Sequence, residues 1–168
     1  MLIVYNIYNM VYRGTRVPKK KKKLSCYDIA DYFLAQMDED AGDLISNLKL
    51  QKLVYYAQGF HLALYNKPLF TEKIEAWIHG AVIPDLYHQF KDYGPMPLPR
   101  PKNLDFSIFS DQVKELLDEV YAVYGQYSAW RLREMVHSEA PWKNAYKRHD
   151  DTIANEEMKT YFKKYLKK

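Results

Sequence analysis

The stretch from residue 50 to residue 64 constrains the fold more than any other part of the sequence. Its apolar side chains recur at intervals of three, four and seven residues, the spacing that places them on one wide face of an α-helix. Ser46 or Asn47 supplies an N-cap, and the Asn-Lys-Pro of residues 66–68 ends the pattern. The apolar face consists of Leu50, Leu53, Val54, Ala57, Phe60, His61 and Leu64. The sequence therefore predicts an amphipathic helix here.

Helical patterns also lie on both sides of this stretch. Ser25 followed by Asp28 is close to a capping box and opens a helix that ends before the acidic residues 38–43. Pro84 and Gly94 suit the start and the C-terminal cap of a short helix. The remaining helices are predicted to begin at Ser110, Ser128 and Pro141, and a last helix carries Met158, Tyr161, Phe162, Tyr165 and Leu166 along one side.

Two segments are predicted not to be helical. Residues 69–83 are β-branched and aromatic and lack a helical period, which favours an extended turn or a short strand. Residues 95–101 contain four prolines, which exclude a helix. We therefore expect a mainly α fold, a single compact multi-helix domain with at most a short β or extended segment near residues 69–83.

Composition limits the class of protein. A chain of 168 residues with 48% hydrophobic content is the size of one domain. Its single cysteine, Cys26, excludes an internal disulfide framework and a cysteine-based zinc site. No apolar run approaches the roughly 18 residues of a membrane-spanning helix. We expect a soluble, cytoplasmic protein.

Charge is distributed unevenly along the chain. Residues 1–23 carry seven basic and no acidic groups, residues 24–142 carry ten basic and seventeen acidic groups, and residues 143–168 carry eight basic and four acidic groups. We divide the chain into a basic N-terminal arm or linker, residues 1–23, and a helical domain, residues 24–168. The lysine run at residues 19–23 is typical of a solvated arm and less often of a nucleic-acid contact.

Motifs for catalysis and metal binding are sparse. The six glycines form no phosphate-binding loop and the five histidines form no HExxH motif, so we expect neither a cofactor nor a metal ion. His137 with Glu139 is the most enzyme-like pair, because a histidine near a carboxylate can act as general base and acid. A histidine at a helix end more often interacts with the terminal carbonyls and the helix dipole. Since no nucleophile motif accompanies the pair, we expect a protein that is not an enzyme.

Three uncommon segments follow one another along the chain. They are LQKLVYYAQG at residues 50–59, AWIHGAVIP at residues 76–84 and HSEAPW at residues 137–142. In this order they resemble the Panacea antitoxin domain family, which includes SocA-like and phage-associated GepA-like proteins, and the resemblance extends over residues 27–162. The chain departs from the family pattern at Ala81, where the family usually has proline, so the turn here lacks a fixed φ.

The resemblance implies a set of motif residues, most of which are expected to be structural. They are Leu50, Lys52, Leu53, Tyr56, Trp77, Gly80, Val82, Pro84, His137, Glu139, Pro141 and Trp142. Contacts with a partner are expected in the irregular loop of residues 93–103, because long loops tolerate change and often carry recognition. The candidate partner-binding residues are Tyr93, Met96, Leu98 and Arg100.

The resemblance also implies a function. It points to an antitoxin that binds and masks a cognate protein toxin, typically encoded in the adjacent gene, or that delivers the toxin to a protease. The alternative from a different class is a nucleic-acid-binding regulator that uses residues 19–23 and 163–168 on phosphates. Against this alternative, residues 24–142 carry seven more acidic than basic groups, and no reading helix is recognisable. A hydrolase that uses His137 and Glu139 is a third possibility.

Overall fold

The computed structural model describes residues 22–166. The predicted N-terminal arm falls mostly on residues 1–21, which lie outside the described residues. The described helices are α1 (Cys26–Ala35), α2 (Asn47–Tyr65), α3 (Pro84–Phe90), α4 (Asp111–Tyr124), α5 (Ala129–Ser138), α6 (Ala140–Lys147) and α7 (Asn155–Lys163). Two short strands, β1 (Glu75–Trp77) and β2 (Gly80–Val82), lie between α2 and α3. The predicted mainly α domain is confirmed for this part of the chain, and both strands lie within residues 69–83; isolated β-bridges also occur outside that range, where they pair Asp38 with Asp43, Ser46 with Pro97 and Glu75 with Thr152.

Helix α2 is the centre of the fold. It packs against α1, α3, α4, α5, α7 and β2, and its side chains are buried almost without a break from Asn47 to Ala63. The helix that the apolar spacing predicts is therefore confirmed, but it is buried on all sides and not on one face. Its closest neighbour is α7, where the Phe162 ring lies so near Gly59 that an added Cβ would come within 2.3 Å of the ring.

Serine caps set the starts of the helices. The Ser25 hydroxyl accepts a hydrogen bond from the Asp28 N–H, and the Asp28 carboxylate accepts from the Ser25 N–H at 2.8 Å, which completes the predicted capping box. Ser46, Ser110 and Ser128 each accept from a backbone N–H three residues further on. The predicted starts of these four helices are confirmed.

The two strands form an antiparallel hairpin in which Ala76 lies opposite Ala81. The other edge of β1 is also paired, because the Ala76 N–H donates to the Asp151 carbonyl and the Ile153 N–H donates to the Ile74 carbonyl. Gly80 follows the turn with φ of +104°, a conformation that residues with a Cβ rarely adopt. The hairpin is thereby held between α2 and the segment that precedes α7.

The segment after the hairpin differs slightly from the prediction. Helix α3 ends at Phe90, and Lys91–Tyr93 forms a 3₁₀ turn that Gly94 terminates at φ of +56°. Residues 95–101 are not helical, as their prolines predict. No helix among residues 22–166 is long and apolar enough to cross a membrane.

Candidate functional site

Polar side chains of α2 hold the hairpin in place. The buried Lys52 ammonium donates to the Ala81 carbonyl at 2.8 Å, and the Ile83 N–H donates to Gln51 Oε1 at 2.8 Å. Burial, and then the positive charge of Arg133, lowers the pKa of Lys52 from 10.5 to about 7. A Cβ on Gly80 would come within 2.9 Å of the Lys52 side chain. Lys52 and Gly80 lie in different motif segments, and the Lys52 side chain occupies the space that a side chain at position 80 would need.

A second buried polar cluster joins α2 to the junction between α5 and α6. Tyr55 donates its hydroxyl to Glu139 Oε2 at 2.9 Å, and Tyr56 donates to Glu139 Oε1 at 2.7 Å. Burial raises the pKa of Glu139 from 4.5 to about 7, although both tyrosine hydrogen bonds act in the opposite direction. The Tyr56 ring also stacks on the Tyr124 ring at 3.8 Å. The glutamate of the third motif segment is thus bound to the tyrosines of the first.

The tryptophans of the motif join the hairpin to α6. Trp142 donates its indole N–H to the Trp77 carbonyl at 2.9 Å. The His137 ring stacks on the Trp142 indole with 4.0 Å between the ring centres, and the Tyr146 ring stacks on the same indole at 4.6 Å. Partial burial, followed by the charges of Arg133 and Lys52, lowers the pKa of His137. Pro141 occupies the first turn of α6, and Pro84 occupies the first position of α3.

The three motif segments therefore meet in one place and form one interlocked unit. Leu50, Leu53 and Val82 complete it as buried apolar side chains. Gln51, Tyr55 and Gln58 were not among the site residues predicted from the sequence. The buried Gln58 side chain donates to the Phe70 carbonyl and accepts from the Leu69 N–H. The signal that marks these residues is a polar or hydroxyl side chain inside a helix that is otherwise apolar.

His137 and Glu139 are not paired with each other. The Glu139 carboxylate is 6% exposed and binds two tyrosine hydroxyls, whereas the His137 ring stacks on an indole. Within residues 22–166 no group of three or more His, Cys, Asp and Glu side chains is placed to hold a metal ion. Glu139 and His137 therefore make separate contacts, and a structural role for them stays a prediction.

An apolar groove lies on the surface beside this interlocked unit. Its volume is about 330 Å³. Ile78 and Trp130 are 63% and 57% exposed, unusually large fractions for side chains of this kind. The lining residues are Asn47, Leu48, Gln51, Trp77, Ile78, His79, Val82, Tyr87, Lys91, Gly94 and Trp130. We call this the tryptophan groove.

A second, larger groove of about 750 Å³ lies next to it. Gly94 and Trp130 line the first groove, and their neighbours along the chain, Pro95 and Ala129, line the second. Inside the second groove, Lys49 donates to the Gly125 carbonyl at 2.5 Å and lies 3.5 Å from Asp43. Asp43 also accepts a hydrogen bond from the Tyr121 hydroxyl. We call this the lysine groove.

The predicted partner-binding residues fall into two groups. Tyr93 and Met96, which adjoin Gly94 of the tryptophan groove and Pro95 and Pro97 of the lysine groove along the chain, are 42% and 63% exposed. Leu98 is 2% exposed, so the expectation that its side chain contacts a partner is wrong. Its N–H donates to the Ile45 carbonyl, which draws the loop onto the core. Arg100 is exposed and donates to the Ala35 carbonyl at 2.8 Å. For Tyr93, Met96 and Arg100, partner contact stays a prediction.

All three motif segments lie within the part of the chain that matches a known protein family. Residues 50–143 match the family described as Antitoxin SocA-like, Panacea domain, and the chain belongs to this family. A curated relative, Antitoxin SocA of Caulobacter vibrioides (strain NA1000 / CB15N), is 34% identical over 123 residues. The match covers 66% of this chain and 61% of the relative, so the chain spans less than two thirds of the relative's length. No solved structure matches the chain.

Proposed function

We propose that this protein is an antitoxin that neutralises a cognate protein toxin by binding it directly, without catalysing a reaction. Membership of the SocA-like antitoxin family supports the antitoxin role. The observation that carries direct binding is the exposed apolar surface around the two grooves. Its exposed members are Leu44, Ile78, Tyr93, Met96 and Trp130. Exposed apolar patches on a folded domain mark interaction sites, and tryptophan and tyrosine are enriched among the residues that contribute most to binding.

The buried polar bonds give this surface a fixed shape. The hairpin that carries Ile78 is bonded on one side to α2 through Lys52 and on the other to residues 151–153. Because the hairpin is already ordered, a partner would bind a preorganised surface at a low entropic cost. Masking then follows from occlusion, because a domain of this size covers the part of the toxin against which it lies.

Two finer statements belong to the same proposal. The toxin is encoded in the gene adjacent to this one, and the complex in the cytoplasm is either inert or passed to a protease. Family membership supports a toxin as the partner. Delivery to a protease requires a second surface on the complex, and the two outcomes differ in whether the toxin persists in the cell after it is bound.

The nucleic-acid alternative is not favoured by the described surface. Asp38, Glu39 and Asp40 are all exposed, and the residues that follow them, 41–43, line the lysine groove. A phosphate backbone that followed the exposed apolar surface would meet these carboxylates. The alternative therefore depends on the basic termini, at residues 19–23 and 163–168.

Co-expression tests the proposal. The product of the adjacent gene is induced in cells with and without this protein, growth is recorded, and the tagged toxin is purified. The expected result is restored growth together with a complex of the two proteins that survives high salt. A chain that lacks residues 1–21 should protect as well as the full chain. The nucleic-acid alternative is supported instead if no complex forms and the full chain binds random DNA in a salt-sensitive manner that the truncation weakens.

A further inference from the structure

The tryptophan groove combines an apolar lining with one sign of charge. Of its lining residues only Lys91 and His79 carry titratable cationic groups, and none is a carboxylate. Lys91 is exposed, and neither Lys91 nor Arg133 forms an ion pair within residues 22–166. The groove therefore combines a mostly apolar lining with the unpaired positive charge of Lys91.

The positive charge extends behind the lining. The Arg133 guanidinium lies over the Trp130 ring, 4.6 Å from its centre. The charge of Arg133 contributes to the lowered pKa of both Lys52 and His137, which places the guanidinium close to both side chains. Arg133 Nε and His137 Nε2 are buried and have no hydrogen-bond partner among the described residues. Glu75 accepts the Trp77 indole N–H, and Glu134 lies 3.8 Å from Arg131. Within residues 22–166 the Arg133 guanidinium beside the exposed Trp130 indole nevertheless has no ion-pair partner.

We propose that the tryptophan groove binds a segment of the toxin in which large apolar side chains alternate with carboxylates. The apolar side chains would lie against Ile78 and Trp130, and the carboxylates would pair with Lys91 and Arg133. Such pairing would give Lys91 and Arg133 the ion-pair partners that they lack within residues 22–166, and it would direct the acidic segment to this groove and away from the acidic residues 38–43. This inference rests on the proposed function, since it names the surface with which the antitoxin holds its toxin.

A nucleic acid is the competing occupant for an indole beside an arginine, because bases stack on aromatic rings and phosphates pair with cations. Its backbone would carry a charge at every nucleotide past the groove. The neighbouring lysine groove is lined by Asp43 and adjoins the exposed acidic residues 38–40. A nucleic-acid backbone that extended from the tryptophan groove into the lysine groove would be repelled by these carboxylates. A short protein segment of apolar and acidic residues avoids this repulsion, because its carboxylates need not extend beyond the tryptophan groove.

The first test uses a defined probe. A synthetic peptide that alternates leucine with glutamate is titrated into the full chain while intrinsic tryptophan fluorescence or heat is recorded, beside a peptide in which lysine replaces every glutamate. The leucine–glutamate peptide should bind and the leucine–lysine peptide should not. Trp130→Ala and Lys91→Glu should each weaken binding by about tenfold or more. Lys143→Glu, an equal charge reversal at an exposed position outside the groove lining, should leave it unchanged.

The second test uses the toxin itself. Trp130→Ala and Lys91→Glu should abolish growth protection and the purified complex, while melting temperatures stay close to that of the unaltered chain because both side chains are exposed. If the unaltered chain protects and both variants protect equally well, the groove assignment is wrong and the proposed function stands. If the unaltered chain itself neither protects nor binds, the proposed function fails. Binding of a single-stranded oligonucleotide that the same variants abolish would overturn the groove assignment in favour of a nucleic acid.

Discussion

Replacement of Glu139 by glutamine tests the buried cluster that joins the motif segments. Glu139 accepts hydrogen bonds from Tyr55 and Tyr56, and its burial raises its pKa from 4.5 to about 7. Because the folded state binds this proton more tightly than the unfolded state, the residue contributes stability below about pH 4.5 that is lost as pH rises to about 7. Glutamine has nearly the same shape and no charge, so Glu139→Gln removes this pH dependence.

The magnitude follows from the two pKa values. A shift of one pKa unit corresponds to about 1.4 kcal/mol, so the full shift at Glu139 corresponds to about 3 kcal/mol. Most of it falls between about pH 5 and about pH 8. Relative to the unaltered chain, the variant should therefore become more stable by about 2–3 kcal/mol as pH is raised across this interval. The contributions of other titratable groups, including His61 and His137, whose pKa values burial lowers, are common to both proteins and cancel in the difference.

Urea unfolding of both proteins at several pH values measures this difference directly. The expected outcome is a difference in unfolding free energy that grows steadily between about pH 5 and about pH 8 and is flat above it. Tyr56→Phe is the matched control, because it keeps the carboxyl group and removes one hydrogen bond that lowers its pKa. A difference that does not vary with pH would show that Glu139 is solvated, and the described cluster would be incorrect.

Three further substitutions test the buried contacts of α2 and of the hairpin. Gly59→Ala should lower the free energy of unfolding by about 1–3 kcal/mol, because the added methyl group collides with the Phe162 ring; an unchanged melting temperature would argue against this contact. Lys52→Met should abolish a rise in stability between about pH 7 and about pH 10, the interval in which the unfolded chain still holds the proton that the buried amine has lost; a rise that persists would place the amine in solvent. Trp142→Phe should cost about 1 kcal/mol by removing the hydrogen bond to the Trp77 carbonyl, as measured by thermal unfolding, and no cost would mean that the bond is absent.

Local rules account for most of the fold that the sequence predicts. The N-caps at Ser25, Ser46, Ser110 and Ser128 depend on side-chain bonds to residues three positions away, so a single sequence is sufficient to locate them. Periodicity likewise locates α2, and the loss of periodicity locates the hairpin. Neither rule shows that α2 is buried on every side, because that depends on which elements surround it.

The long-range pairs account for what the sequence does not predict. Glu139 and Tyr55 are 84 positions apart, and Lys52 and Ala81 are 29 apart. Nothing local marks such partners, and a histidine with a nearby glutamate resembles a catalytic pair until their separate contacts are known. Leu98 illustrates the same limit, since a proline-rich loop indicates irregular backbone but not which side chain turns inward.

Titration of toxin activity with the purified protein distinguishes direct masking from catalysis. Increasing amounts of this protein are added to a fixed amount of the toxin, and the toxin's activity is followed together with the mass of the complex. Direct masking predicts that inhibition rises in proportion to the protein added, ends at a fixed molar ratio and coincides with complex formation. Inhibition that proceeds to completion with a small fraction of that amount, and without a complex, would show catalytic turnover and contradict the account.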